Sequence, residues 1–360
     1  MKKKTDQKAL TTKLLAWYDE NQRILPWRIQ PTPYAVWVSE IMLQQTRIEA
    51  VIPYYERFMN ELPTLVDLAQ CEDDRLMKLW EGLGYYHRVR NMKRCAIECM
   101  ETYHGNLPAD VTALRKLPGI GEYTAGAIGS IAYDLAVCAI DGNVLRVFSR
   151  ILCSDADISL TATKKQFHSI IREYLPRRSG AFNQALMELG ERICIPNGVP
   201  HCAECPIHAE CLAYQNGCQL LLPVNNKKKT RTLEEHTVLI LICDQRVHLI
   251  KRPKSGLLAD LYQFDFLDGF CDEAKLREYA QTYGEVQSLV PLPDTHHIFT
   301  HKEWHMHGWL AVCKMKQQRG LWANRTELAH TYAIASAFAK YKEICFAYLA
   351  GGCGNESTTL

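Results

Sequence analysis

The sequence predicts a mainly α N-terminal domain followed by a small α+β domain. From Leu10 to about Leu222, apolar residues recur at helical spacing between helix start and stop signals. After the basic run Lys227-Lys228-Lys229-Thr230-Arg231 the pattern changes to alternating strands. Between these regions four cysteines fall within eighteen residues, where a metal-binding loop would close the helical part. The expected boundaries are a helical domain at 1–222, a linker at 223–233, a second domain at 234–350 and a tail at 351–360.

Thr32-Pro33 reads as an N-cap followed by proline at the first helical position, opening a helix through Val36, Trp37, Glu40 and Ile41. Thr46-Arg47-Ile48-Glu49 matches a capping box and predicts another helix, with Ile48, Val51, Ile52, Tyr55 and Phe58 on one face. Residues 111–133 read as helix, the turn Leu117-Pro118-Gly119-Ile120-Gly121, and a second helix. In the second domain Thr237–Ile242, a turn at Asp244-Gln245 and Val247–Ile250 predict a β-hairpin. Trp304 to Cys313 alternates again, and Ala333 to Tyr348 is expected to be an amphipathic helix.

With 47% hydrophobic and 23% charged residues over 360 positions, the chain has a globular composition and room for two or three domains. No apolar run approaches the roughly 18 residues of a membrane span, and the basic start lacks a signal-peptide core. The expectation is a cytoplasmic protein without membrane contact. A balance of 42 basic against 40 acidic residues, net +2, does not by itself suggest nucleic acid.

The turn at Gly119, Ile120 and Gly121 suggests how a nearly neutral chain could still hold DNA. Glycines there let successive N–H groups point outward at a helix start, a nest that binds phosphate without a basic side chain. An ordinary Gly-rich turn is the alternative. Cys194-x7-Cys202-x2-Cys205-x5-Cys211 could wrap one metal centre. Zinc is an alternative, but zinc ribbons use two separated CxxC pairs; one CxxC with longer flanking spacers suits a [4Fe–4S] cluster, in a structural or a redox role. Cys218 reads as a spare thiol. The other ten cysteines, Cys153 among them, read as buried small hydrophobes.

Cleaving a base from its sugar needs a proton donor for the base and a carboxylate to stabilise the cationic sugar. Glu40 lies among apolar residues, where desolvation would keep it protonated, although a surface glutamate on an amphipathic helix reads the same way. Asp141 precedes a helical pattern and suits an N-cap, where backbone amides and the helix dipole would keep it ionised.

The segments Leu25–Arg28 (LPWR), 39–47 (SEIMLQQTR), 82–91 (GLGYYHRVRN), 117–128 (LPGIGEYTAGAI) and 141–147 (DGNVLRV), in that order and followed by the four cysteines, carry a resemblance over nearly the whole chain. The chain resembles the helix–hairpin–helix DNA glycosylases related to endonuclease III, and within them the MutY-type adenine glycosylases. The resemblance implies a helix–hairpin–helix glycosylase fold with one [4Fe–4S] cluster on Cys194, Cys202, Cys205 and Cys211. It implies that Glu40 protonates adenine and assists water, that Asp141 stabilises the oxocarbenium ion, and that Tyr123 and Asn143 assist. Trp27, Arg28, Leu43 and Gln184 would line the adenine pocket, while Gln45 and Tyr85 would wedge into the base stack. Bifunctional relatives carry a Schiff-base lysine where this chain has Tyr123, so base removal should leave an abasic site. The family's first cysteine gap is six residues; here it is seven, so a bulged ligand loop is expected.

The C-terminal part resembles the MutT/Nudix-like domain that reads oxidised guanine in this family, through Gly256–Phe264. It lacks the glutamate-rich metal-binding run of MutT hydrolases. Phe299, Thr300 and His301 stand where the family has a Phe-Ser-His loop, with threonine keeping the hydroxyl. His296, His297, His301, His305 and His307 are expected to be exposed or hydrogen-bonded rather than metal ligands. The expected partner is duplex DNA containing A:8-oxoG or A:G mispairs, handled by a monomer at the bacterial nucleoid. A bifunctional pyrimidine-lesion glycosylase and a non-catalytic iron–sulfur DNA-binding protein are the competing readings.

Overall fold

A computed structural model describes residues 6–226, 231–315 and 319–351. The expected linker residues 227–230 and nearly all of the tail lie outside the described residues. The chain divides into two compact units, one of residues 1–70 with 90–227, the other of residues 71–89 with 228–360. The helical part is therefore discontinuous, and the domain expected at 1–222 needs correction: Cys71–Val89 clusters with the C-terminal unit. Packing between segments remote in sequence decides this, so local pattern does not reveal it.

The first unit is helical. Gln7–Asn21, Gly142–Ile151 and Ser179–Arg192 share one core, into which Leu10, Leu14 and Tyr18 project from successive turns against Val144, Phe148, Phe182 and Leu186. Thr32 caps Pro33–Leu43 as expected, its hydroxyl accepting from the Ala35 N–H at 3.1 Å. The capping box at Thr46 does not form. The helix Ile48–Glu61 starts one residue later with Arg47 at the N-cap, and the Thr46 hydroxyl turns back to the Gln44 carbonyl. Glycine is needed at 126, in the helix Glu122–Ala132, because a Cβ there would stand 2.1 Å from the Cys138 carbonyl oxygen. That close approach lays residues 138–141 against the helix and delivers Asp141 to its place.

In the hairpin, the first helix is a single turn, Val111–Leu114, capped by the Asp110 carboxylate. Gly119 has φ +76, which demands glycine, whereas Gly121 is extended and serves as the N-cap of Glu122–Ala132. Only one of the two glycines is thus required by backbone conformation.

The second unit holds strands β1 (Thr232–Cys243), β2 (Arg246–Lys251), β3 (Tyr262–Gln263), β4 (Asp265–Asp268), β5 (Gly284–Ile298), β6 (Lys302–Met315) and β7 (Leu321–Ala323). Their order is β3-β2-β1-β6-β5, with β4 on β1 and β7 on β2. Asp244 and Gln245 both take positive φ in the tight turn of the expected β1–β2 hairpin. β1 and β6 run parallel, from Thr232 opposite Lys302 to Cys243 opposite Cys313. The last helix is Ala339–Gly351, preceded by a 3-10 turn at Ser336–Phe338; the expected start at Ala333 is six residues early, because Tyr262 donates its N–H to the Ala333 carbonyl instead.

Candidate active site

Four helices and one turn of the first unit converge. Pro33–Leu43 supplies Glu40, Glu122–Ala132 supplies Tyr123, the start of Gly142–Ile151 supplies Asp141 and Asn143, Ser179–Arg192 supplies Met187, and Pro26–Ile29 carries Trp27 and Arg28; Gln184, also on Ser179–Arg192, donates to the Gly180 carbonyl at 3.4 Å. The Tyr123 hydroxyl donates to Glu40 Oε2 and touches the Met187 sulfur at 3.8 Å. Asp141 Oδ1 accepts from the Val144 N–H and Oδ2 from Asn143 Nδ2, each at 2.8 Å, so the aspartate is the expected N-cap.

Burial pushes Glu40 up to about 7, with the Asp141 charge adding to it and the Tyr123 hydrogen bond and Arg28 opposing. Near neutral pH this carboxyl exchanges its proton readily, which is the property of an acid–base group. Burial also raises Asp141, against the Val144 and Asn143 N–H groups and Arg146. The cap was expected to dominate; desolvation outweighs it. Burial and the neighbouring carboxylates hold Tyr123 well above the ordinary phenol value, so it stays a proton-bearing donor.

Trp27 is buried edge-to-face against Tyr55 at 5.2 Å. Arg28 Nη2 donates to Glu188 at 3.0 Å, and Arg23 holds the other Glu188 oxygen. Glu188 is almost wholly buried, yet the two arginines keep its pKa below the usual value despite that burial. The sequence reading missed this anchor, although Glu188 lies one helical turn beyond Gln184. Leu43 is partly buried at the end of its helix, and Gln45 just beyond is exposed with φ +59. In the second unit Tyr85 is 41% exposed with φ +46. Left-handed backbone at a glutamine and a tyrosine is strained and gathers at functional positions. Phe299 packs on Trp304 at 4.8 Å near the β5–β6 connection, where Thr300 and His301 are exposed. His305 pairs with Glu303 and His307 with Asp294, each an ordinary contact.

Cys194, Cys202, Cys205 and Cys211 all line one cavity. Among the described residues no group of three or more His, Cys, Asp or Glu is gathered to hold a single metal ion. Four cysteine sulfurs are a donor set for a zinc ion or for an iron–sulfur cluster alike. Burial pushes Cys205 up to about 12 and Cys211 up to about 11, a penalty on the thiolates that a bound cation offsets. Within the first gap Gly198 has φ +81, in an exposed loop closed by the His201 N–H on the Ile193 carbonyl. The helix Gly142–Ile151 reaches both sites. Arg146 bonds Asn143 and the Cys194 carbonyl, each at 2.8 Å, and Arg150 donates to the Cys194 sulfur at 3.1 Å.

Residues 38–175 match the HhH-GPD superfamily of base excision DNA repair proteins, and residues 237–343 match the NUDIX domain. The chain is 35% identical over 356 residues to the adenine DNA glycosylase of Mus musculus, covering 82% of this chain and 69% of that protein. Among solved structures, a thermostable thymine-DNA glycosylase is 25% identical with a TM-score of 0.54, covering 58% of this chain and 97% of its own. A non-covalent endonuclease III–DNA complex, 20% identical with a TM-score of 0.52, covers 60% of this chain and 99% of its own, and shows the shared fold.

Proposed function

We propose that this chain, which belongs to the adenine DNA glycosylase family, hydrolyses the N-glycosidic bond of adenine mispaired with 8-oxoguanine, and with guanine, leaving an abasic site. The observation that carries this reading is the buried Glu40, held near neutral pKa beside Asp141, with a tyrosine rather than an amine at 123. Adenine swung out of the stack enters between Trp27, Arg28, Leu43 and Gln184. Glu40 gives its proton to the leaving base as the C1′–N bond breaks. The sugar left behind is cationic, and Asp141, oriented by Asn143 and the Val144 N–H, stabilises it. Glu40, now a carboxylate, takes a proton from the attacking water. Tyr123 holds Glu40 in place and cannot open the sugar as a Schiff-base lysine would.

Gln45 and Tyr85 act as wedges in the base stack. The open space beside the extended Gly121, next to Gly119 and Ile120, admits a phosphate to the start of Glu122–Ala132. Phe299, Thr300 and His301 contact the oxidised guanine. Cys194, Cys202, Cys205 and Cys211 would hold one [4Fe–4S] cluster, whose ligation supplies the energy that orders this loop. No described helix is long and apolar enough to cross a membrane. The working form is a monomer on nucleoid DNA.

The test is incubation with duplexes containing A:8-oxoG, A:G or A:T. The reading expects free adenine from the first two and strand breaks only after alkali. Prompt breaks without alkali, or release of a pyrimidine instead, would overturn it.

A further inference from the structure

Cys153 and Cys218 read from sequence as a buried hydrophobe and a spare thiol; the structure makes them neighbours. Their sulfurs stand 2.8 Å apart, closer than non-bonded sulfurs rest, and both residues are partly exposed. Each follows the end of a helix. Cys153 comes after Gly142–Ile151, with its N–H on the Arg150 carbonyl and φ +47. Glycine is the usual residue at such a left-handed helix end, so a cysteine there is held against its backbone preference. Cys218 comes after Leu212–Gln215 and donates its N–H to the Ala213 carbonyl. Two other pairs, Cys95 with Cys99 and Cys243 with Cys313, are buried, which leaves Cys153 and Cys218 as the paired thiols open to solvent among the described residues.

We propose that Cys153 and Cys218 are a redox modification site, a dithiol that hydrogen peroxide converts to a reversible disulfide. One thiolate attacks the peroxide: an S–O bond forms, the O–O bond breaks, and water leaves after proton uptake. The second thiolate then displaces the hydroxyl of that sulfenic acid as a second water, forming the S–S bond. Two electrons pass from the sulfurs to the two peroxide oxygens. A reducing dithiol reverses the step by exchange. The bond spans 65 residues of chain and encloses Cys194, Cys202, Cys205 and Cys211. Oxidation thereby clasps the end of the cysteine loop to the helix that carries Asp141, whatever group that loop holds.

The full-length protein would be exposed to hydrogen peroxide, or separately to oxidised glutathione, blocked with an alkylating agent, and digested without reduction. A peptide joining Cys153 to Cys218, lost on dithiothreitol treatment, is expected. Oxidised wild type should also resist proteolysis after residue 211 relative to the reduced form. Cys218→Ser should lose both effects. Cys153→Gly suits its left-handed position and should fold at least as well, yet it too should lose both. Cross-links to the cluster-loop cysteines in place of this pair, over-oxidation of Cys218 without a cross-link, or equal protection in Cys153→Gly would overturn the proposal.

Discussion

At Glu40 the same burial that prepares the acid also sets a cost for the fold. Its pKa rises on folding from 4.5 to about 7, so the native state binds this proton more tightly than the unfolded chain. The resulting stability is complete below the unfolded value and is lost as pH rises through about 7, a change of about 3 kcal/mol. Glu40→Gln, which carries no titrating proton, should therefore gain stability over wild type between about pH 5 and about pH 8. Denaturant midpoints for both proteins at the two pH values check this; a difference that does not change with pH would refute it. Glu40→Gln and Asp141→Asn should each slow adenine release by roughly 10²–10⁴-fold or more, with duplex binding retained, as single-turnover rates and a binding titration would show. Glu40 was legible in sequence as an acid among apolar neighbours. Glu188 was not, because its role depends on Arg23 and Arg28 arriving from a segment about 160 residues earlier in the chain.

Elements were legible where one local interaction decides them. Thr32 with Pro33 marks a helix start that forms, and Asp141 caps the helix expected to follow it. Thr46 carries the same kind of signal and fails, since its hydroxyl finds the Gln44 carbonyl nearby. Strand β5 escaped notice because Pro291 and Pro293 interrupt its pattern; its place at the end of the sheet order and its bulges at 286–288 and 292–295 tolerate them. At this scale Asp141→Asn should keep the cap and change stability little, whereas Asp141→Ala should lose about 1 kcal/mol by thermal or denaturant unfolding. Gly126→Ala should be far more damaging, because its methyl meets a backbone carbonyl at 2.1 Å. A loss of less than about 1 kcal/mol there would contradict the close approach of helix and segment.

The whole molecule is where sequence said least. Alternation and a basic run separated the helical part from the sheet, but the inclusion of Cys71–Val89 in the C-terminal unit rests on contacts more than two hundred residues apart. Glu81 bonds Lys342 and the Ile334 N–H, and Lys78 donates to the Leu328 and Tyr332 carbonyls. Glu81→Ala should destabilise this unit and open residues 71–89 to proteolysis; unchanged digestion would show that these contacts do not hold the segment. The central claim, that a protonated Glu40 beside Asp141 releases adenine, is tested most directly by the single-turnover rate of release from an A:8-oxoG duplex across the pH range. The rate should fall as pH rises through about 7, and Tyr123→Phe, lacking the hydrogen bond that lowers Glu40, should move the fall to higher pH. A rate that climbs through the same range, or a midpoint unmoved in Tyr123→Phe, would contradict it.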